Sequence, residues 1–451
     1  MRNTVTAVLD ERPLGAWQLI LVLLVLAILV IDGLDNHLLS LVGPTILAEW
    51  SISKAMFGPA LSASFFGMVI GAGIGGWFGD RFGRKTVLVG SAFLFGAATF
   101  ATSSAGSIGS LIALRFISGL GFGAAGPTGM ALASEWLPQR ARSKAISLLA
   151  AATPFGGMFG ATIVLSLLPT YGWRGCFIAC GMFTILLIAA IMFALPESPS
   201  YLLRRGKPAA VLRYAQRMLA DPPVEDMVLD PRVAAAESGN IFVPENRWLN
   251  AGAWLSLLSI TALAYATTMW GPLYLTMAGL PLDEALRANF AFNLCSLGIM
   301  LVGGSLVDRF GSRRVMLIAC ALTFAFLALL GMALKQPEWS ARGMAIIVSI
   351  GGLGATAGLI IGATYSVLAH AYPSACRSTG LGFGHLMGRT GGIIITLSGG
   401  VLLSFGNDLM PFLLSLAAAV VLTIVGICLV DHHIPARAGR HTPAPLPSAN
   451  V

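Results

Sequence analysis

The chain has 451 residues, of which 56% are hydrophobic and 11% are charged. A soluble protein of this length carries roughly a quarter charged residues, so most of this chain is expected to lie in a bilayer. The net charge of +8 does not indicate nucleic-acid binding, because the Lys and Arg residues fall in short loops and form no continuous face.

Membrane-spanning helices are predicted along the whole chain, since each needs roughly 20 mostly apolar residues. Twelve segments qualify: 16–41, 56–79, 86–104, 108–133, 144–168, 174–195, 249–277, 286–307, 314–334, 342–369, 378–404 and 410–430. The first runs directly into Asp32 without a small-residue cleavage site, which favours a membrane helix over a cleaved signal peptide.

The loops on the two sides of these spans differ in charge. Seventeen Lys and Arg residues fall on one side and five on the other. Because cytoplasmic loops carry the excess of Lys and Arg, both termini are expected to be cytoplasmic.

A long central loop, 196–248, is predicted to separate two six-helix bundles, 1–195 and 249–431. Within it, Tyr201 to Leu219 alternates apolar residues such as Leu212 and Ala215 with arginines, which predicts an amphipathic helix at the inner membrane surface. The Pro-rich remainder is predicted to be a mobile linker, and 432–451 a disordered cytoplasmic tail.

An internal repeat follows the second and eighth spans. The first copy, 76–85, reads GWFGDRFGRK, and the second, 304–314, reads GSLVDRFGSRR, with the shared DRFG elements 228 positions apart. Two parallel six-helix repeats around a central site are a known transporter plan. We expect the loop to act in gating and packing, through glycines that admit neighbouring helices or a tight turn, acids that face a helix N-terminus and arginines that meet anionic headgroups: Gly76, Asp80, Arg81, Gly83, Arg84, Gly304, Asp308, Arg309 and Gly311.

The repeated loop, together with Arg115 and the small-residue stripe 116–125 behind it, resembles the major facilitator superfamily over nearly the whole chain. The resemblance implies an all-α membrane protein of 12 transmembrane helices in two pseudo-symmetric halves. The segment 196–202 also resembles a transporter motif, but this motif recurs in sugar porters and organic-ion porters alike and does not discriminate between them.

Four charged residues interrupt the predicted spans: Asp32, Asp35, Arg115 and Arg389. A bare charge there costs at least about 2.5–3.5 kcal/mol on insertion scales, so each should face a cavity or a partner. Either the two acids and two bases pair to hold helices together, or an arginine fork binds a carboxylate substrate while an Asp carries a proton. Both roles are compatible with the same residues.

Three segments resemble the aromatic acid:proton symporter family: 32–35 (DGLD), 134–142 (SEWLPQRAR) and 372–380 leading into 388–392 (GRTGG). This resemblance implies proton-coupled import of benzoate-like or hydroxybenzoate-like acids across a bacterial inner membrane. It implies substrate-binding roles for Arg115, Arg389, Asp32, Asp35 and His385, proton coupling by Asp32, Asp35 and Glu135, and a gating role for Arg377. The sequence departs from the family pattern at Leu34, where an aromatic residue is usual, and at Thr396.

Several of these residues also have structural interpretations. His37 and His385 are either packing residues or groups that contact substrate or relay protons. Glu135 and Arg377 are expected near the cytoplasmic boundary, as an inner-gate pair or as loop charges. Three aromatic residues, Trp270, Tyr274 and Phe292, fit core or lipid packing better than substrate stacking.

Two other functions are alternatives. One is a porter of another solute: a sugar, a non-aromatic organic acid or a drug. The other, a membrane enzyme or receptor, has little support, because the sequence shows no metal-ligand cluster, nucleophile with a base, or phosphate-binding loop. We expect no cofactor and no metal, partners limited to an aromatic acid, protons and lipid, and a monomer; the six cysteines are interpreted as small hydrophobic residues.

Overall fold

The computed structural model describes residues 8–10, 13–218, 241–336, 341–372, 376–404 and 409–436. Regular structure in these residues is helical. The helices are α1 (Ala16–Trp50), α2 (Lys54–Phe82), α3 (Arg84–Thr102), α4 (Ile108–Glu135), α5 (Gln139–Ala150), α6 (Ala152–Ala194), α7 (Pro199–Arg204), α8 (Pro208–Met218), α9 (Arg247–Met269), α10 (Gly271–Met277), α11 (Leu282–Phe310), α12 (Ser312–Lys335), α13 (Arg342–Ala371), α14 (Arg377–Leu402) and α15 (Met410–Leu429).

The helices account for the twelve predicted spans. Ten of those in the described part of the chain are long and apolar enough to cross a membrane. Helix α6 holds two spans, because Gly172 leaves the helical conformation at φ 65° and ψ −176° and separates two arms. Helix α14 is continuous over 26 residues, but the polar residues His385 and Arg389 divide its apolar stretch. It provides the twelfth span. The predicted fold is therefore confirmed.

The two halves pack their helices in the same pattern. In the first half α2 and α3 pack on α4, and α1 packs on the first arm of α6. The second half repeats these pairs, with α11 and α12 on α13 and α9 on α14. Two copies of one packing scheme are what the repeat in the sequence predicts.

Glycines make the closest of these contacts possible, because without a driving force from water, membrane helices associate through small residues. A Cβ at Gly33 of α1 would lie 2.8 Å from the backbone of Thr153, and one at Gly75 of α2 would lie 2.5 Å from Ala124 of α4. The glycine between Asp32 and Asp35 is thus required by the close approach of α1 and α6.

Contacts between the halves are strongest at one end. We call the end that carries the repeated loops the basic end, and the opposite one the far end. At the far end Lys54 Nζ donates to the Leu403 carbonyl at 3.4 Å, and Phe57 meets Trp270 edge-on with ring centroids 6.4 Å apart. Towards the basic end, His385 of α14 is exposed. The hydrogen bond and the ring contact that close the space between the halves therefore lie at the far end.

The central loop differs from the prediction in its described part. Instead of one amphipathic helix, the chain forms α7 and α8, separated by Gly206 at φ 66°. Val211 and Ala215 of α8 are fully buried, so its apolar face packs on the first half. The Pro-rich stretch predicted as a linker lies mostly outside the described residues, and Pro244 begins a 3-10 turn.

The beginning of the tail is docked on the protein. Ser312 N donates to the Ile434 carbonyl at 3.0 Å, and Ile434 N donates to Ser312 Oγ at 2.9 Å. The imidazole of His433 also contacts Ser312 Oγ, at 3.1 Å. Residues 432–436 thus lie against the second copy of the repeated loop, while the rest of the predicted disordered tail is outside the described residues.

Candidate functional site

Asp35 and Arg115 form an ion pair inside the first half. Arg115 Nη1 donates to Asp35 Oδ2 at 2.8 Å, and each side chain is 1% exposed. Thr99 donates to Asp35 Oδ1 at 2.8 Å, and Arg115 Nη2 donates to Thr102 Oγ1 at 2.9 Å. The guanidinium also lies 5.1 Å from the ring centroid of Phe177. This pair ties four spans of one half together.

This geometry differs from the predicted substrate-binding role of the two residues. Both carboxylate oxygens of Asp35 and two nitrogens of Arg115 already have partners, and neither side chain is exposed to the space between the halves. Separating a buried pair leaves an uncompensated charge, at a cost of about 3–5 kcal/mol. The arrangement therefore favours helix packing for Asp35 and Arg115.

Asp32 and Arg389 are placed differently. Both are half-buried, and they belong to opposite halves, α1 and α14. Asp32 Oδ1 and Arg389 Nη1 are buried, yet neither has a hydrogen-bond partner among the described residues. The charge of Arg389 acts on Asp32 across the interface. Buried polar groups are usually paired, and these two unpaired atoms carry opposite charges on opposite halves, so they can pair with a ligand or with each other.

Three further polar rings belong to this cluster. Tyr265 of α9 and Tyr365 of α13 are half-buried, and both lie within electrostatic range of Arg389. Tyr365 stacks on His385 with ring centroids 4.5 Å apart and an interplanar angle of 29°. Tyr265 packs edge-on against Phe65 of α2, at 4.6 Å. His385 lies one helical turn before Arg389 on α14, and its substrate-binding role stays a prediction.

Sequence reasoning missed the two tyrosines. The chain has only seven Tyr residues, and these two lie within spans in which a hydroxyl needs a polar partner. That rarity could have singled them out. The neighbouring glycines explain how the rings are held: Gly392, one helical turn after Arg389, packs on the ring of Tyr265, and Gly384 packs near Tyr365.

Glu135 lies at the basic end, in a second polar cluster. It forms an ion pair with Arg84 and accepts hydrogen bonds from Ser198 Oγ at 2.5 Å and from Ser200 N at 3.3 Å. Next to it, Glu197 accepts from Lys85 N at 2.9 Å. These contacts join the repeated loop to the ends of α4 and α6. Glu135 thus contacts the first repeated loop and lies apart from Asp32 and Asp35.

The repeated loops have the predicted turn but not the predicted close contact. Gly83 and Gly311 adopt φ 101° and 83°, conformations that side chains other than glycine rarely adopt. Gly76 and Gly304, however, have no neighbouring atom within 4 Å of an added Cβ. One residue turns a helix by about 100°, so the preceding glycines, such as Gly75, face the neighbouring helix instead.

The charged members of the loops are mostly exposed. Asp80 lies 3.9 Å from Arg84 with its side chain 63% exposed, and Asp308 is also exposed. Arg81 lies over the Trp77 ring at 5.2 Å, and Arg309 lies over Phe310 at the same distance. Arg377 begins α14, but its side chain is outside what the structure describes; its gating role stays a prediction.

The other candidates pack in the interior. His37 is 3% exposed, and its Nδ1 lies 2.7 Å from the Gly33 carbonyl. Trp270, Tyr274 and Phe292 are buried, and Tyr274 packs on Phe412 with centroids 5.3 Å apart. These contacts agree with the packing interpretation. No group of three or more potential metal ligands occurs among the described residues.

Comparison with known proteins assigns the chain to a family. The model described as Major Facilitator Superfamily matches residues 24–351 and 288–449, nearly the whole chain. The chain belongs to the major facilitator superfamily. It is a multi-pass membrane transporter, as the resemblance of the repeated loop implied.

Among curated members of the superfamily, the chain is 30% identical to the 4-hydroxybenzoate transporter PcaK of Pseudomonas putida, over 95% of this chain and 96% of that protein. It is 29% identical to a gallate transporter of Pseudomonas putida, over 97% of each chain. A benzoate transport protein of Acinetobacter baylyi is 28% identical, over 95% of this chain and 92% of that one. The predicted resemblance to aromatic acid transporters is confirmed.

Solved structures agree on the fold. The inward-open xylose transporter XylE from E. coli superimposes with a TM-score of 0.73, covering 94% of this chain and 98% of that chain at 16% identity. At that identity the likeness shows the fold alone.

Proposed function

We propose that this chain imports small aromatic carboxylates of the benzoate or hydroxybenzoate type together with protons, by alternating access. The observation that carries the proposal is the pair formed by Asp32 and Arg389, one from each half, each with a buried polar atom that has no partner among the described residues. The relatives named for 4-hydroxybenzoate, gallate and benzoate support the choice of cargo.

Arg389 is the group that we expect to hold the carboxylate of the substrate. A guanidinium presents a planar fork of donors that matches a carboxylate, and its partly exposed position admits one from the space between the halves. Arg115 has the same chemistry, but its Nη1 and Nη2 atoms bind Asp35 and Thr102, and its side chain is 1% exposed. The difference in partners, not in residue type, selects Arg389.

Asp32 is the group that we expect to carry the proton. When a substrate carboxylate occupies Arg389, two negative groups share one guanidinium in a site of low dielectric. Protonating Asp32 removes that repulsion and keeps the site neutral. Protonating Asp35 instead would leave the buried charge of Arg115 uncompensated.

Movement of the halves then couples the two ligands. Arg389, His385, Tyr265 and Tyr365 all lie in the second half, whereas Asp32 lies in the first. Rocking of bundle 1–195 against bundle 249–431 therefore changes the separation of the proton site from the substrate site. We propose a monomer in the inner membrane, with the basic end and both termini cytoplasmic and with residues 196–248 joining the bundles.

Proton-linked uptake in cells that express the chain tests this function. Internal acidification should follow benzoate or 4-hydroxybenzoate, but not a hexose or a cationic dye, and should stop when the proton gradient is collapsed. Arg389→Ala removes hydrogen bonds to a charged group, and so should weaken uptake by about 10- to 100-fold at an equal amount of protein in the membrane.

Two variants complete the test. Asp32→Asn should abolish acidification while leaving aromatic-acid binding detectable and less dependent on pH. Arg287→Ala is a matched control, because it removes an exposed guanidinium paired only with Asp283 at 3.6 Å. Normal acidification by Asp32→Asn, or a response only to the hexose or the dye, would reject the proposal.

A further inference from the structure

Two tyrosine rings flank the proposed carboxylate site, since Tyr265 contacts Gly392 and Tyr365 stacks on His385. Arg389 lies near the middle of α14, twelve residues after its first residue. Tyr265 lies four residues before the end of α9 at the far end, and Tyr365 lies six residues before the end of α13 at the basic end. The tyrosines are therefore on opposite sides of Arg389 along the transport path.

We infer that Tyr265 and Tyr365 determine specificity by hydrogen-bonding a ring hydroxyl of the substrate, so that the chain prefers hydroxylated aromatic acids to unsubstituted benzoate. The inference rests on the proposed function, since it assumes that an aromatic carboxylate occupies Arg389. It adds two residues and a chemical distinction that the carboxylate site alone does not provide.

The surroundings of the two rings fit this role. Both residues are half-buried, so each ring packs on the protein while part of the side chain remains accessible. Tyr365 is held by stacking on His385, and Tyr265 by its edge-on contact with Phe65. A phenol hydroxyl both donates and accepts, so it can pair with a ring hydroxyl in either sense.

The two tyrosines also lie near each other and near Arg389. All three lie in the second half, so they keep their arrangement when the halves rock. A substrate bound by its carboxylate would then meet the same hydroxyls in the outward-facing and the inward-facing states. Selectivity is expected to be equal from both sides of the membrane.

Tyr274 lacks these features and provides a matched control. Tyr274 is 1% exposed and packs on Phe412, and its hydroxyl has no hydrogen-bond partner among the described residues. Replacing it with Phe removes the same hydroxyl from a site that no substrate reaches. Any general effect of losing a phenol hydroxyl from the bundle would appear in this variant.

The experiment measures the Kd of purified protein for 4-hydroxybenzoate and for benzoate, in wild type, Tyr265→Phe, Tyr365→Phe, the double variant and Tyr274→Phe. The one ring hydroxyl of 4-hydroxybenzoate lies opposite its carboxylate and can meet only one of the two tyrosines. Loss of that neutral hydrogen bond should weaken 4-hydroxybenzoate binding by about 2- to 12-fold in one single variant and equally in the double variant. Benzoate binding and both affinities of Tyr274→Phe should be unchanged.

The outcomes separate the two proposals. If wild type binds neither acid, the proposed function fails. If wild type binds both acids and the double variant weakens them equally or not at all, the inference about the tyrosines fails while the function stands. Thermal unfolding of each variant excludes a loss of folding as the cause, since Phe keeps the ring contacts.

Discussion

Asp32 and Asp35 of α1 should differ in how much folding stability is lost when each is replaced by Asn. Asp35→Asn keeps the shape of the side chain but removes its charge and replaces one acceptor oxygen with a donor, and so leaves the guanidinium of Arg115 uncompensated where both side chains are 1% exposed. Breaking a buried pair in this way costs about 3–5 kcal/mol of folding free energy. Asp32→Asn removes a charge that has no ion pair in this state and should cost little stability.

The free energy of unfolding can be followed through the native cysteines. Cys176 and Cys180 are buried in the second arm of α6 and become reactive towards a thiol-specific dye only when this half opens. We expect Asp35→Asn to lower the midpoint of thermal unfolding by several degrees in detergent. Asp32→Asn should unfold close to wild type.

A double variant separates charge from other effects. Removing both charges, with Asp35→Asn and Arg115→Gln together, should restore part of the lost stability, because no buried charge then lacks a counter-ion. In uptake assays, Asp32→Asn should be folded and inserted but should not couple transport to protons. The reasoning is refuted if Asp35→Asn is as stable as wild type, or if Asp32→Asn proves the more destabilising of the two.

Three further outcomes are expected. Gly71→Ala should impair folding, since its Cβ would collide with the Leu120 backbone, whereas Gly76→Ala, with no atom within 4 Å, should fold and be inserted as wild type; the yield of monodisperse protein compares them. Glu135→Gln should weaken the basic-end cluster by removing the ion pair with Arg84, and faster proteolysis near α7 would report this. Burial lowers the pKa of His433 from its ordinary value of 6.5; the docked tail therefore favours neutral imidazole, is most stable above about pH 6.5, and should be released as pH falls, which hydrogen exchange at residues 431–436 would detect.

Much of the fold was determined by the sequence, because the bilayer imposes a simple rule. Backbone groups in hydrocarbon must be paired within a helix, so long apolar segments predict spans directly. The twelve predicted spans correspond to helices, and the repeated loop correctly indicated two similar halves. The division of the predicted amphipathic helix into α7 and α8 was missed, because the alternation of apolar residues and arginines continues across Gly206.

The sequence also identified the charged residues that matter, but not their separate roles. Asp32 and Asp35 are three positions apart and only about 60° apart on α1. Nothing in the sequence places one in the space between the halves and the other against Arg115. Likewise, the sequence cannot show which arginine has both Nη atoms bound within the protein, since that depends on Thr102 and Asp35 reaching Arg115 from other helices.

By itself, then, the sequence determined the membrane environment, the number of spans, the two-fold repeat and the family, since each follows from local apolarity or from a contiguous motif. Only the tertiary structure decided which charges are paired within one half, that Glu135 belongs to the basic-end cluster, and that Tyr265 and Tyr365 lie beside Arg389. Those facts depend on contacts between helices far apart in the chain, and the composition of a single helix does not show which other helix it contacts.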